Sequence, residues 1–99
     1  MVATFVLVKF EASTFIEEGT LILKLNDVAI IQGSGKTTLE VEENQTYWVS
    51  WEVHGLPGTC YTISISSPRA AEFYLRKVLQ YDRESRIFFF NINTLHNDV

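Results

Sequence analysis

Residues 33–38, Gly33-Ser34-Gly35-Lys36-Thr37-Thr38, carry the residue types of a phosphate-binding loop. Such a loop needs a glycine, four residues and then Gly-Lys-Ser/Thr, set between a buried strand and a helix whose N-terminal amides face the phosphates. Counting back from Gly35-Lys36-Thr37 places Ile30 where the first glycine belongs. The residues that follow, Thr38-Leu39-Glu40-Val41-Glu42, alternate with period two and lead into a strand. The expectation is therefore no nucleotide: a connection between strands in which the glycines make the turn and Lys36 is solvated.

Cys60 and His54 are the second pair that could react. They flank Leu56-Pro57-Gly58-Thr59, and if that turn joins paired strands, a cysteine could lie close enough to a histidine for its thiolate to be activated. A small buried cysteine and a rim histidine are the simpler expectation, so the chain is read as not being an enzyme. One cysteine and two histidines, His54 and His96, make a poor zinc set. The adjacent acids Glu17-Glu18 and Glu42-Glu43 point to opposite faces of a strand, and neither pair supplies converging carboxylates. Asn44-Gln45-Thr46 matches a glycosylation acceptor, taken as a chance match. No cofactor-binding pattern emerges.

The elements that carry these residues are read from alternation. Thr4–Phe10 is an apolar, β-forming run expected to be buried on both faces. Thr20–Leu25 and Val28–Ile31 flank Asn26-Asp27, a pair that tolerates the positive φ of a two-residue hairpin turn. Tyr47, Val49, Trp51 and Val53 alternate with Trp48, Ser50, Glu52 and His54. Beyond Pro57-Gly58, which fits a type II turn, Tyr61, Ile63 and Ile65 alternate with Thr62, Ser64 and Ser66. Residues 46–66 are expected to form a hairpin. Pro68–Tyr81 fits a short helix or a strand, and the strand is favoured, followed by a connector and a last strand over Arg86–Ile92.

The expected fold is all-β: an antiparallel two-sheet sandwich of seven or eight strands, Ig-like or transthyretin-like, occupying residues 1–92, with a polar tail over 93–99. Ninety-nine residues suffice for one core without disulfides or metal.

Composition narrows the partners. A net charge of −4 repels phosphate backbones, so nucleic acid is not expected. The charge is uneven: residues 11–52 hold eight acids against Lys24 and Lys36, while residues 69–86 hold five bases against Glu72, Asp82 and Glu84. Scattered, solvated charge is the simpler expectation; the alternative is that oppositely charged halves make head-to-tail contacts between copies. Met1–Val8 lacks the basic residues of a secretory leader and reads as a strand. No run reaches the length of a membrane span. A cytoplasmic chain without membrane insertion is expected.

Aromatic placement is the remaining lead. If Tyr47, Val49, Trp51 and Val53 face the core, Trp48 faces away, and in RIFFFNI Phe89 takes the opposite face to Phe88 and Phe90. Trp48, Tyr74 and Phe89 are the expected partner-binding residues. They would serve a protein partner or self-association through a sheet edge or aromatic face, or else a platform for sugar rings, unless another strand, a loop or the first residues cover them.

The stretch LKLNDVAIIQGSGKTTLEVEENQTYWVSWEVHG resembles the small bacterial β-sandwich modules called PEGA-like or transthyretin-like domains, over roughly residues 20–66. The Pro-Glu-Gly-Ala signature itself is absent. The resemblance implies a β-sandwich and a non-catalytic role.

Overall fold

The computed structural model describes residues 7–43 and 45–92, and these form eight strands in two packed antiparallel sheets. The strands are β1 (Leu7–Ile16), β2 (Thr20–Leu25), β3 (Val28–Gln32), β4 (Gly35–Glu42), β5 (Gln45–His54), β6 (Cys60–Ser67), β7 (Phe73–Val78) and β8 (Arg83–Ile92). One sheet has the order β4-β1-β6-β7 and the other β3-β2-β5-β8. The two-sheet sandwich expected from alternation is the fold observed. Residues 1–6 of the expected first strand, Asn44 of the acceptor motif, and 93–99 with His96 lie outside the described residues.

Alternation decides which residues face inward. Along β5, Val49, Trp51 and Val53 are buried while Glu52 and His54 are exposed; β6 buries Tyr61, Ile63 and Ile65. With Phe10, Leu21 and Leu23 they fill the space between the sheets. Each such side chain, fully buried, stabilises the fold by roughly 1.5–3 kcal/mol. The first strand differs from the expectation of burial on both faces. It runs on to Ile16 and alternates, with Phe10, Ala12 and Thr14 inward and Lys9 and Phe15 outward.

Asn26 and Asp27 both adopt positive φ, 50° and 66°. Those are the angles of the tight turn that matches strand twist, and β2 and β3 pair across it as a hairpin.

Residues 46–66 are not a hairpin. β5 pairs with β2 and β8, whereas β6 pairs with β1 and β7 in the other sheet. The turn itself forms as its residues require: Gly58 has φ 98° and the Thr59 amide donates to the Leu56 carbonyl at 3.0 Å. It carries the chain from one sheet to the other. Its twist explains why. A type II turn splays strands instead of letting them pair closely.

The segment 68–81 holds a short 3-10 turn at Arg69–Ala71 after a cis Ser67-Pro68 bond, and then β7. The strand reading is the observed one.

The same end of the sandwich holds the turn from β1 to β2. Gly19 lies there with φ 107°, and a Cβ on it would sit 2.2 Å from the His54 carbonyl oxygen. Gly33 also has positive φ, 78°, but open space around it. Gly33→Ala should therefore cost about 1–3 kcal/mol, from backbone strain alone. Gly19→Ala should cost distinctly more, because backbone must move as well. Urea unfolding of the two variants beside the parent checks the order.

Candidate functional site

The phosphate-loop residues fasten the connection between β3 and β4 to its neighbours. The buried Thr14 hydroxyl donates to the Gly33 carbonyl at 2.6 Å, the Ile16 amide donates to Ser34 Oγ at 2.9 Å, and the Gly33 amide donates to the Leu21 carbonyl at 2.6 Å. β4 begins at Gly35, so Lys36 stands on a strand opposite Ser13, exposed, with no helix N-terminus behind it. The connection is thus shorter than expected: two residues, fastened to β1 and β2.

His54 and Cys60 are not brought together by strand pairing. His54 is exposed at the end of β5, in register with Thr20 and Arg83. Cys60 opens β6 in the other sheet, in register with Val78. The activation expected of paired strands loses its geometric basis, because the turn between them crosses between sheets.

The expected partner-binding residues divide between two faces. Trp48 and Phe89 stand directly opposite each other on β5 and β8, with ring centroids 6.4 Å apart and planes at 44°. Tyr74 is 66% exposed but lies on β7, on the outer face of the other sheet. Ile87, which the sequence reading did not single out, joins the first pair. It precedes Phe89 by two residues on the same face of β8, where Phe89 is 61% and Ile87 55% exposed. The signal was in RIFFFNI itself: once Phe89 faces outward, so does Ile87.

Polar groups frame this aromatic face. Asn26 Oδ1 accepts from the Trp48 amide at 3.0 Å, the Asn26 amide donates to the Trp48 carbonyl at 2.8 Å, and Trp48 Nε1 donates to Asp27 at 3.3 Å. The β2–β3 turn is thereby docked on Trp48 and holds the indole in place. Thr46 donates to Asn91 at one end, and Lys24 pairs with Glu52 at 3.5 Å toward the other. At the Lys24–Glu52 end an open depression of about 350 Å³ is lined by Lys24, Ser50, Glu52, Ser85 and Ile87. The outer face of the other sheet has a smaller hollow, about 220 Å³, lined by Glu11, Ser13, Lys36, Thr38, Ser64 and Ser66.

A polar cluster closes the flank where β7 meets β8. Glu84 accepts from the Tyr61 hydroxyl and pairs with Lys77 at 2.8 Å. Burial alone would raise the Glu84 pKa; hydrogen bonds from Lys77 and Tyr61, then the charges of Lys77 and Arg86, outweigh it and the net shift is downward. Burial first, then Glu84, pushes the Tyr61 hydroxyl far up, so it stays protonated. Trp51 lies beside it, although its buried Nε1 closes no hydrogen bond among the described residues. The carboxylate and the phenol serve each other and the ammonium, which makes the cluster a fastening across the two sheets. Among the described residues, no group of three or more His, Cys, Asp or Glu is placed to hold a metal.

Because the folded carboxyl of Glu84 sits below its unfolded value, its contribution is complete above the ordinary carboxylate range and is lost as pH falls through the lowered folded value. Glu84→Gln should cost about 1 kcal/mol at neutral pH. The gap between parent and variant should close as pH drops below about 4, which unfolding midpoints measured across acid pH would record.

Comparisons with family models, with curated proteins and with solved structures find no match to this chain.

Proposed function

We propose that this chain is a non-catalytic binding module, a small sandwich of Ig-like or transthyretin-like kind, whose partner is a protein. The observation that carries the reading is the run of outward apolar side chains, Trp48, Phe89 and Ile87, on adjacent strands of one sheet. Exposed aromatic and aliphatic groups gathered on a flat, rigid support mark a surface that gains from being covered. Their rim is mixed in charge: Asp27 at Trp48, and the Lys24–Glu52 pair beside Ser50. Apolar centre and polar rim are the anatomy of a protein interface.

Two features weigh against a sugar platform. The rings of Trp48 and Phe89 are inclined at 44° instead of coplanar. The indole N–H is already engaged by Asp27. A pyranose ring stacks on a flat aromatic surface and takes its polar contacts from free donors beside it.

The test uses the immobilised chain to capture a partner from its host's lysate, with three variants compared. Phe89→Ser and Ile87→Ser should reduce capture at least tenfold, as expected for residues at the centre of an interface. Tyr74→Ser, on the other face, should leave it unchanged. Equal capture by all of them would remove the aromatic face as the binding surface. A fall in Trp48 fluorescence with soluble glycans, unaffected by Phe89→Ser, would point to sugar instead.

A further inference from the structure

We infer that copies of this chain associate head to tail, β7 of one copy pairing with β4 of the next so that one sheet continues from copy to copy. The surface is separate from the aromatic face, and three observations meet on it.

Strand direction comes first. The sheet β4-β1-β6-β7 is antiparallel throughout, and it has an even number of strands. Its two edge strands therefore run in opposite directions. A second copy displaced sideways, without being turned over, brings its β4 antiparallel to the first copy's β7. That is the more favourable ladder, and it needs no rearrangement of either strand.

Charge comes second. The flank of β7 and β8 carries Arg69, Arg76, Arg83 and Arg86, none of which makes an ion pair among the described residues, against the exposed acids Glu72 and Asp82, so it is basic on balance. The opposite flank, where β3 and β4 lie side by side, carries Glu40, Glu42 and Glu43, likewise without an ion pair among the described residues, against Lys36 at the start of β4. Lys9 is in register with Glu40 but pairs with Glu11. Opposite charges thus face away from each other on one molecule and toward each other between two. A two-fold arrangement, β7 on β7 or β4 on β4, would instead bring like charges to the same seam.

The state of the edges comes third. On the basic flank, β8 is covered in part by the 3-10 turn at Arg69–Ala71 packed against it. On the acidic flank, β3 is five residues long and irregular in register. Both edges of the second sheet are therefore guarded. β7 and β4 are regular, and the one charge that β7 turns inward, Lys77, is already held by Glu84 at 2.8 Å.

One register satisfies both faces. Arg76 opposite Glu40 places Tyr74 opposite Glu42 and Val78 opposite Thr38 on the outer face, and Leu75 opposite Val41 on the inner one. Tyr74 and Val78, exposed by 66% and 51% in the single chain, become partly covered. Because each copy keeps a free β4 and a free β7, the assembly is open-ended.

Sedimentation of the full chain over a range of concentrations tests this at low salt. The mean mass should rise past that of two copies without a plateau, and about 1 M salt should reduce it, since screening then acts within about 3 Å. Arg76→Glu and Glu40→Arg should each weaken association roughly fivefold to tenfold. Mixing the two variants in equal amounts, or combining both changes in one chain, should restore it; unchanged unfolding midpoints would show that the variants fold. A mass that never exceeds the monomer, a plateau at two copies, or a mixture that stays dissociated would each overturn the inference. Growth should survive Phe89→Ser, and loss of growth in that variant would assign association to the aromatic face instead.

Discussion

The structure depends on a seam of aromatic rings that joins its two sheets. Trp51 lies 5.5 Å from Phe73, Phe73 lies 5.0 Å from Phe88, and Phe88 lies 6.1 Å from Phe90, which in turn meets Phe10 at 6.1 Å and Tyr47 at 5.8 Å. Phe10 and Phe73 belong to one sheet and the other four to its partner. Each ring pair contributes about 0.5–1.5 kcal/mol beyond the area it buries. The seam thus does what a disulfide does in other small sandwiches: it fixes one sheet against the other at several points. The Tyr47 hydroxyl extends it to the backbone, accepting from the Glu42 amide and donating to the Glu42 carbonyl, each at 2.9 Å. β4 and β5 are held across their crossing in that way.

The seam also explains the aromatic face. With Tyr47, Val49, Trp51, Phe88 and Phe90 committed inward, the pleat sends Trp48 and Phe89 out, and antiparallel register sets them opposite each other. The outward pair, Trp48 half-buried and Phe89 exposed, is therefore a geometric by-product of the buried one, but nothing in that geometry requires it to be aromatic. Hydroxyls or charges would cover the outer face at no loss to the core, as Ser50, Glu52 and Ser85 do two to four residues along the same strands. The neighbouring Ile87, exposed beside Ser50, makes the same choice of residue type again. That repetition on two strands separates a surface meant to be covered from an isolated exposed apolar side chain, which is common and needs no explanation.

Much of this was legible in the chain, because period-two alternation is local. The strand in 73–78, the turn at Asn26-Asp27 and the outward Trp48 and Phe89 are all readable from neighbours a few residues apart. The expected hairpin over 46–66 failed on a quantity that is not local. β5 has two sides, and β2 and β8 occupy both, leaving β6 to the other sheet. The turn chemistry did hold the distinction. Asn26-Asp27, with both φ positive, is the kind that closes a hairpin; Pro57-Gly58 is the kind that opens a corner. The division of the three expected partner residues has the same origin. Alternation places Tyr74 outward as correctly as Phe89, but which sheet an outward residue belongs to is decided by pairing between distant segments.

Pairing of this kind leaves open edges, and the four edge strands differ in how they are protected. β3 is short and irregular, and β8 is backed by the 3-10 turn. These are the means by which sandwiches avoid adding strands. Lys77 and Glu84, the inward charges of β7 and β8, hold each other across the flank and guard neither edge. Protection has thus been concentrated on one sheet. β4 and β7, the edges of the other sheet, instead carry exposed charge of opposite sign, Glu40 and Arg76. Charge on an edge repels an identical edge and attracts its complement, so it forbids indiscriminate pairing while permitting one arrangement. An even number of antiparallel strands then makes the permitted arrangement geometrically straightforward, since the complementary edges already run in opposed directions. The aromatic face stands at right angles to that line of growth, on the sheet whose edges are closed, and each copy in such a row would present it unobstructed.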